Sequence, residues 1–175
     1  MVNKKKAIFF DRDGTLIKTF ISKKNKPVAI RKLKDFRLLK NTKKVIKILS
    51  SKYKIFVVTN QPDVARGKNL KKNVIDINNK LKSILDIDDI YTSFSENDKN
   101  YFRKPNPGMI FLAQKKYHIN LNDSYFVGDT DKDIIAGKKG NCKTILLKKK
   151  YNKLYNSKPD FLVKNFKEIL NIIKV

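Results

Sequence analysis

Residues Phe9–Leu16 read FFDRDGTL. The apolar run Ala7–Phe10 (AIFF) stops at two carboxylates, Asp11 and Asp13, which flank Arg12 and precede Gly14. The chain of 175 residues holds 41 Lys and Arg against 16 Asp and Glu, so acid is scarce and the pair stands out. Four apolar residues bounded by charge read as a short buried strand. Residues two apart at a strand end project to the same side. Asp11 and Asp13 are therefore expected to face one pocket, with Arg12 facing away.

Outward from this stretch, apolar runs alternate with helix-period segments. Ile55–Val58, Tyr125–Val127 and Thr144–Leu147 read as further strands, with Ile90–Phe94 and Asp160–Val163 as flanking ones. Helices are expected over Thr42–Ser50, Leu70–Leu85, Met109–Tyr117, Asp131–Lys139 and Asn165–Ile173, with Pro107 at a first helical position. Strand–helix alternation with continuously apolar strands implies an α/β fold: a parallel sheet with helices on both faces. The length suits one domain, 1–175. Ile17–Phe36 has weak periodicity and reads as an extended connection, a small flap over a site.

Ligands in such folds bind beyond the carboxyl ends of the strands. Four segments stand there. Asp11–Thr15 supplies two carboxylates, and Thr59–Gly67 (TNQPDVARG) supplies Thr59 and Asn60. RKPNPGM supplies Arg103 and Lys104, and GDTDKD supplies Asp129, Asp131 and Asp133. Each alone is compatible with a turn or a helix cap. Together they place several carboxylates at one point, where they repel unless a cation sits among them. Oxygen donors without a sulfur or imidazole cluster favour Mg²⁺. A hydroxyl, an amide, a lysine and an arginine around such a site describe a phosphate pocket. One carboxylate can attack phosphorus, and its neighbour can give and take the proton.

DRDGT, TNQ, RKPNPG and GDTDKD match, in order, the four motifs of the haloacid dehalogenase superfamily of phosphatases. TNQPDVARG and RKPNPGM further resemble the branch that contains histidinol-phosphate phosphatases and D-glycero-D-manno-heptose 1,7-bisphosphate 7-phosphatases. The resemblance runs from about Lys6 to Leu147 and implies a Rossmann-like sheet with little or no cap. It implies Asp11 as the nucleophile that becomes an aspartyl-phosphate. Asp13 would be the general acid and base and lend its backbone carbonyl to Mg²⁺, and Asp129 would complete the metal site. Thr59 and Lys104 would hold the phosphoryl oxygens, and Arg103 and Asn60 would contact substrate. Asp133 would orient Lys104 or a metal-bound water, and Arg66 is a candidate second anionic contact. Asp131 reads as a helix-start residue.

The sequence departs from that branch in one place. Relatives carry a zinc loop just before the RKP motif, whereas YTSFSENDKNYFRKP (Tyr91–Pro105) has neither Cys nor His. Structural zinc needs four such ligands, so no zinc is expected, and Phe94, Tyr101 and Phe102 are expected to pack in its place. The stretch after the first motif also differs, with Thr19–Ser22 where heptose phosphatases carry a Gly-Tyr segment. Substrate identity is accordingly less determined than reaction type.

The net charge of +25 invites a polyanion partner. Most of it is lysine spread along the chain, while arginine appears only at Arg12, Arg31, Arg37, Arg66 and Arg103. Phosphate and base recognition favour the arginine fork, so the excess reads as solvated surface and nucleic acid is not the expected partner. One cysteine, Cys142, fits a reducing compartment and reads as a small filler. No apolar stretch has signal-peptide or membrane-span length, so a cytoplasmic protein, monomeric or weakly dimeric, is expected. His118 reads as a helix-end residue, and Tyr151 and Tyr155 as cover for the last helix. The expected function is Mg²⁺-dependent hydrolysis of a small sugar phosphate, with heptose 1,7-bisphosphate as best single substrate. Histidinol phosphate is the rival substrate. A polynucleotide 3′-phosphatase and a basic nucleic-acid-binding protein are the alternatives from other classes.

Overall fold

The computed structural model describes residues 5–23, 25–152 and 157–175. Its first strand, β1 (Ala7–Phe10), is buried along its whole length. A hairpin follows, with β2 (Phe20–Ile21) antiparallel to β3 (Pro27–Val28). Then come α1 (Thr42–Leu49), β4 (Lys54–Asn60), α2 (Lys71–Ile84), β5 (Asp89–Ser93) and α3 (Gly108–Tyr117). After these follow β6 (Tyr125–Gly128), α4 (Asp131–Lys139), β7 (Lys143–Leu147), β8 (Phe161–Val163) and α5 (Ile169–Ile172). The six strands outside the hairpin form one sheet in the order β5–β4–β1–β6–β7–β8, every pair parallel.

The alternation of β1 sorts its side chains to two cores. Ile8 and Phe10 join Val57, Val127, α1, α2 and α5 on one face. Ala7 and Phe9 join Phe56, Phe126, α3 and Ala136 of α4 on the other. Phe9 lies 5.3 Å, centroid to centroid, from Phe56 and 6.3 Å from Phe126. Rings so buried contribute about 1.5–3 kcal/mol each, which fixes the three central strands against one another. Their carboxyl ends therefore come out side by side.

Strand and helix ends differ from the sequence expectation by one or two residues. β4 extends through Thr59 and Asn60, because both pair with Thr92 and Ser93 of β5. Pro107 caps α3 and does not begin it; the first helical residue is Gly108. The last segment is not one helix over Asn165–Ile173. A 3-10 turn at Phe166–Glu168, capped by the Asn165 side chain, precedes the single turn of α5. The Asn165 side chain accepts from the backbone N–H groups of Lys167 and Glu168, so the segment starts at a capped 3-10 turn. Among the described residues no helix is long and apolar enough to cross a membrane.

Ile17–Phe36 is the flap its weak periodicity suggested: the β2–β3 hairpin and a 3-10 turn at Leu33–Asp35. Ile17 and Ile30 are its buried anchors, whereas Phe20 and Ile21 are exposed. The loop before Arg103 is not held by aromatics as expected. Tyr101 and Phe102 meet each other's rings edge to face and stay 53% and 44% exposed. Asp98 binds the loop instead, accepting from Arg103 Nε at 2.7 Å and from Lys132 Nζ of α4 at 2.7 Å.

Candidate active site

Asp11 follows β1 directly, Thr59 ends the buried part of β4, and Asp129 follows β6. Since β1 lies between β4 and β6, all three emerge at the point where the strand order reverses. A cavity of about 400 Å³ opens there, lined by Asp11, Asp13, Thr59, Asn60, Lys104 and Asp133 among others. A wider cleft of about 760 Å³ lies at the opposite rim, between Lys5, Lys6, Lys52 and Lys54. It lies at the amino ends of β1 and β4, away from Asp11, Asp129 and Asp133.

Lys104 is the hub. Its buried Nζ donates to Asp11 Oδ1 and Asp133 Oδ1, each at 2.6 Å, and to the Val58 carbonyl at 2.8 Å. Three acceptors use the three hydrogens of an ammonium, so its position is fully determined. Burial works against the charge, yet Asp11 and Asp133 outweigh it and hold the Lys104 pKa above the ordinary lysine value. Asn60 places this lysine by gripping its peptide: Nδ2 donates to the Lys104 carbonyl and Oδ1 accepts from its N–H. The amide expected to touch substrate is thus committed to backbone, although it lines the cavity.

Asp133 divides its two oxygens. Oδ1 takes Lys104, and Oδ2 accepts from the backbone N–H and hydroxyl of Thr130, closing the start of α4. Gly128 is small because a Cβ there would run into the Asp133 carboxyl. Asp131 is the first residue of α4 and accepts from Ser157, away from the cluster.

Carboxylate oxygens of Asp11, Asp129 and Asp133 lie within 4.8 Å of one another, all three residues buried. Burial, and then repulsion from Asp133 and Asp129, outweighs Lys104 and pushes the Asp11 pKa well above the carboxylate range. Burial and Asp133 raise Asp129 to about 6, against hydrogen bonds that pull it down. Groups strained in this way, all offering oxygen, fit a small divalent cation such as Mg²⁺.

Those carboxylates set a pH dependence. A raised pKa means that the folded protein binds more protons than the unfolded chain between the two values. In the metal-free protein, stability is therefore present at low pH and lost as pH rises through about 6. A divalent cation relieves the repulsion only where the carboxylates are ionised. Millimolar Mg²⁺ is expected to raise Tm more at pH about 7.5 than at pH about 5. Calorimetric melts showing an equal gain at both values would contradict this.

Asp13 lies at the cavity edge. Its Oδ1 accepts from the flap N–H of Ile30 at 3.1 Å, and Oδ2 accepts from Gln61 Nε2 and Arg12 Nε at 2.8 and 2.9 Å. Arg12 does point away from the cavity, and it is fully buried against α2, with Nη1 on Asn78 Oδ1 and Nη2 without a partner among the described residues. Gln61 also donates to Thr59 Oγ1, which ties the second motif to the first. Arg103 is 5% exposed and spends its guanidinium on Asp98 and the Ser95 carbonyl. Arg66 sits on the outer wall against Glu96 and Asp63.

Several contributors were not singled out by the sequence. Tyr151 donates its hydroxyl to Asp129 Oδ2, Thr15 donates to Oδ1, and Asn152 Nδ2 holds the Asp129 carbonyl. Gly14, at φ +95°, leaves room for this arrangement, since a Cβ would fall on both Asp129 and the Tyr151 hydroxyl. Tyr151 therefore serves the cluster and does not cover the last helix. Tyr155 lies outside the described residues. His118 ends α3 in the left-handed region, and Cys142 is buried just before β7.

Residues 6–165 match the family model described as polynucleotide kinase 3 phosphatase. The chain is 36% identical over 167 residues to a D-glycero-alpha-D-manno-heptose-1,7-bisphosphate 7-phosphatase of Photorhabdus laumondii, covering 84% of each. It is 31% identical over 183 residues to a D-glycero-beta-D-manno-heptose-1,7-bisphosphate 7-phosphatase of Helicobacter pylori, covering 99% of this chain and all of that one. A D,D-heptose 1,7-bisphosphate phosphatase from B. bronchiseptica, crystallised with magnesium and phosphate, superposes with a TM-score of 0.77 at 20% identity, covering 96% and 99% of the two chains. With 160 consecutive residues matched and all four strand-end segments converging, the chain belongs to the polynucleotide kinase 3 phosphatase family, of the haloacid dehalogenase type.

Proposed function

We propose that the protein removes the 7-phosphate of a D-glycero-D-manno-heptose 1,7-bisphosphate. The observation that carries the chemistry is the buried contact of Lys104 with both Asp11 and Asp133 at 2.6 Å, beside Asp129. Asp11 Oδ attacks phosphorus, the bond to the sugar oxygen breaks, and Asp13 delivers a proton to that oxygen. Asp13 then takes a proton from water as the water displaces phosphate from Asp11. Lys104, already against Asp11, passes to the phosphoryl oxygens as Asp11 becomes esterified, and Thr59 Oγ1 donates from the neighbouring strand end. Charge fixed in advance lowers the barrier because nothing reorganises during the reaction. Asp11, Asp129 and the Asp13 carbonyl would hold Mg²⁺, which when bound neutralises the spreading phosphoryl charge. No zinc enters this reading, since Asp98 binds the loop that zinc would organise.

The choice of sugar rests on the names of the relatives. The description of the family model and the charge of +25 favour one second reading, removal of a 3′-phosphate from nucleic acid. A soluble, cytoplasmic monomer or weak dimer suits either substrate. The deciding measurement is kcat/KM with Mg²⁺ for alpha and beta heptose 1,7-bisphosphate, histidinol phosphate and a 3′-phosphorylated oligonucleotide. A heptose bisphosphate is expected to lead by about tenfold or more, with activity lost in EDTA. A lead by the oligonucleotide would move the assignment to end repair.

A further inference from the structure

Two guanidinium groups on the outer wall of the cavity share one carboxylate. Arg31, on the flap just beyond β3, donates Nε and Nη2 to Asp63 Oδ2 at 2.9 and 2.7 Å. Arg66, in the turn after β4, sets Nη1 3.8 Å from Asp63 Oδ1 and donates Nε to Glu96 at 2.9 Å. Lys68 lines the same cavity and has no ion-pair partner among the described residues. Three cations thus face two acids on this wall, while Lys104 and the carboxylate cluster occupy the floor. The side chains of Arg31 and Arg66 are 43% and 41% exposed. Ion pairs that exposed add little to stability, so holding a fold together is a weak reason to gather them here. Planar forks aimed into a cavity suit a phosphate, which they bind bidentately.

The wall bears on substrate choice, and its role there rests on the bisphosphatase function proposed above. A bisphosphate that loses one phosphate keeps another, which must lie away from the Asp11 centre. We propose that Arg31, with Arg66 and Lys68, forms the subsite for the phosphate that is not transferred. Asp63 stands in for that phosphate in the free protein and yields the Arg31 fork when it arrives. Arg31 sits on the flap, where Ala29 also lines the cavity and the Ile30 N–H holds Asp13. Occupancy of the subsite therefore seats the flap over the proton-transfer residue. Selection of bisphosphates over monophosphates follows from the same contact.

The test compares kcat/KM for heptose 1,7-bisphosphate with that for heptose 7-phosphate, which offers the same leaving phosphate and lacks the second. Arg31→Ala is expected to lower this ratio by about tenfold or more, through KM for the bisphosphate. Asp63→Asn is expected to raise it, since the competing carboxylate charge is gone. Were the pair only a staple for the flap, both variants would lower turnover of both substrates together. Lys34→Ala, on the exposed 3-10 turn of the same flap, serves as control and is expected to keep the wild-type ratio. A ratio within about twofold of wild type in Arg31→Ala, or a fall in Asp63→Asn, overturns the subsite while leaving the phosphatase reading intact. Failure of the wild type to hydrolyse either sugar with Mg²⁺ overturns that reading, and the subsite with it.

Discussion

Asp11→Asn is expected to lower kcat/KM by about 10⁴-fold or more while the protein still folds. The substitution keeps the shape and removes the attacking oxygen's charge, so no aspartyl-phosphate can form. Residual rate would come from Lys104 and Thr59 polarising a phosphate for direct attack by water. Stability should move the other way. Asp11 is a carboxylate whose burial and acidic neighbours oppose its ionisation, so the neutral amide relieves a strain present at neutral pH. Lys104 keeps Asp133 and the Val58 carbonyl as partners. Steady-state assays and thermal melts on the same sample separate the two effects. Activity within about tenfold of wild type would remove Asp11 from the role of nucleophile.

Lys104→Met is expected to cost both activity and stability. Loss of one preorganised positive group at a transferring phosphoryl typically costs about 10²–10³ in kcat. The structural cost arises because Asp11 and Asp133 would remain buried without their shared counter-charge. Removing one partner of a buried ion pair costs about 3–5 kcal/mol. A double variant, Lys104→Met with Asp133→Asn, is expected to recover much of the stability and none of the activity, since repulsion falls while the phosphoryl contact stays absent. Denaturant titrations of the single and double variants check the first point, and phosphate release checks the second. Equal stability of Lys104→Met and wild type in EDTA would show that the cluster is not held by this lysine.

Asp11 and Lys104 were legible because each sits where a local rule applies. Apolar runs mark strands, a parallel sheet binds at its carboxyl ends, and polar residues just past those ends are site candidates. Asp133 was legible by the same rule. The role of Asn60 was less so. Its place at a strand end suggested substrate contact, and only the approach of the RKP segment turned its amide to the Lys104 peptide. Arg12 shows the limit of alternation: its direction away from the cavity followed from the strand period, its burial against Asn78 from the packing of α2.

Local sequence was enough for the sheet and for the place of Asp11 and Asp13 at a strand end, because each depends on residues a few positions apart, whereas the phosphoryl chemistry followed from four motifs taken together and the family they resemble. The donors that surround those carboxylates were set by tertiary contacts. Tyr151 reaches Asp129 from beyond β7, Asp98 ties Arg103 to Lys132 of α4, and Arg31 meets Asp63 across 32 positions. No periodicity links such partners. They meet because strands distant in the chain pack as neighbours and bring their following loops to one rim, where burial and charge then select what touches what.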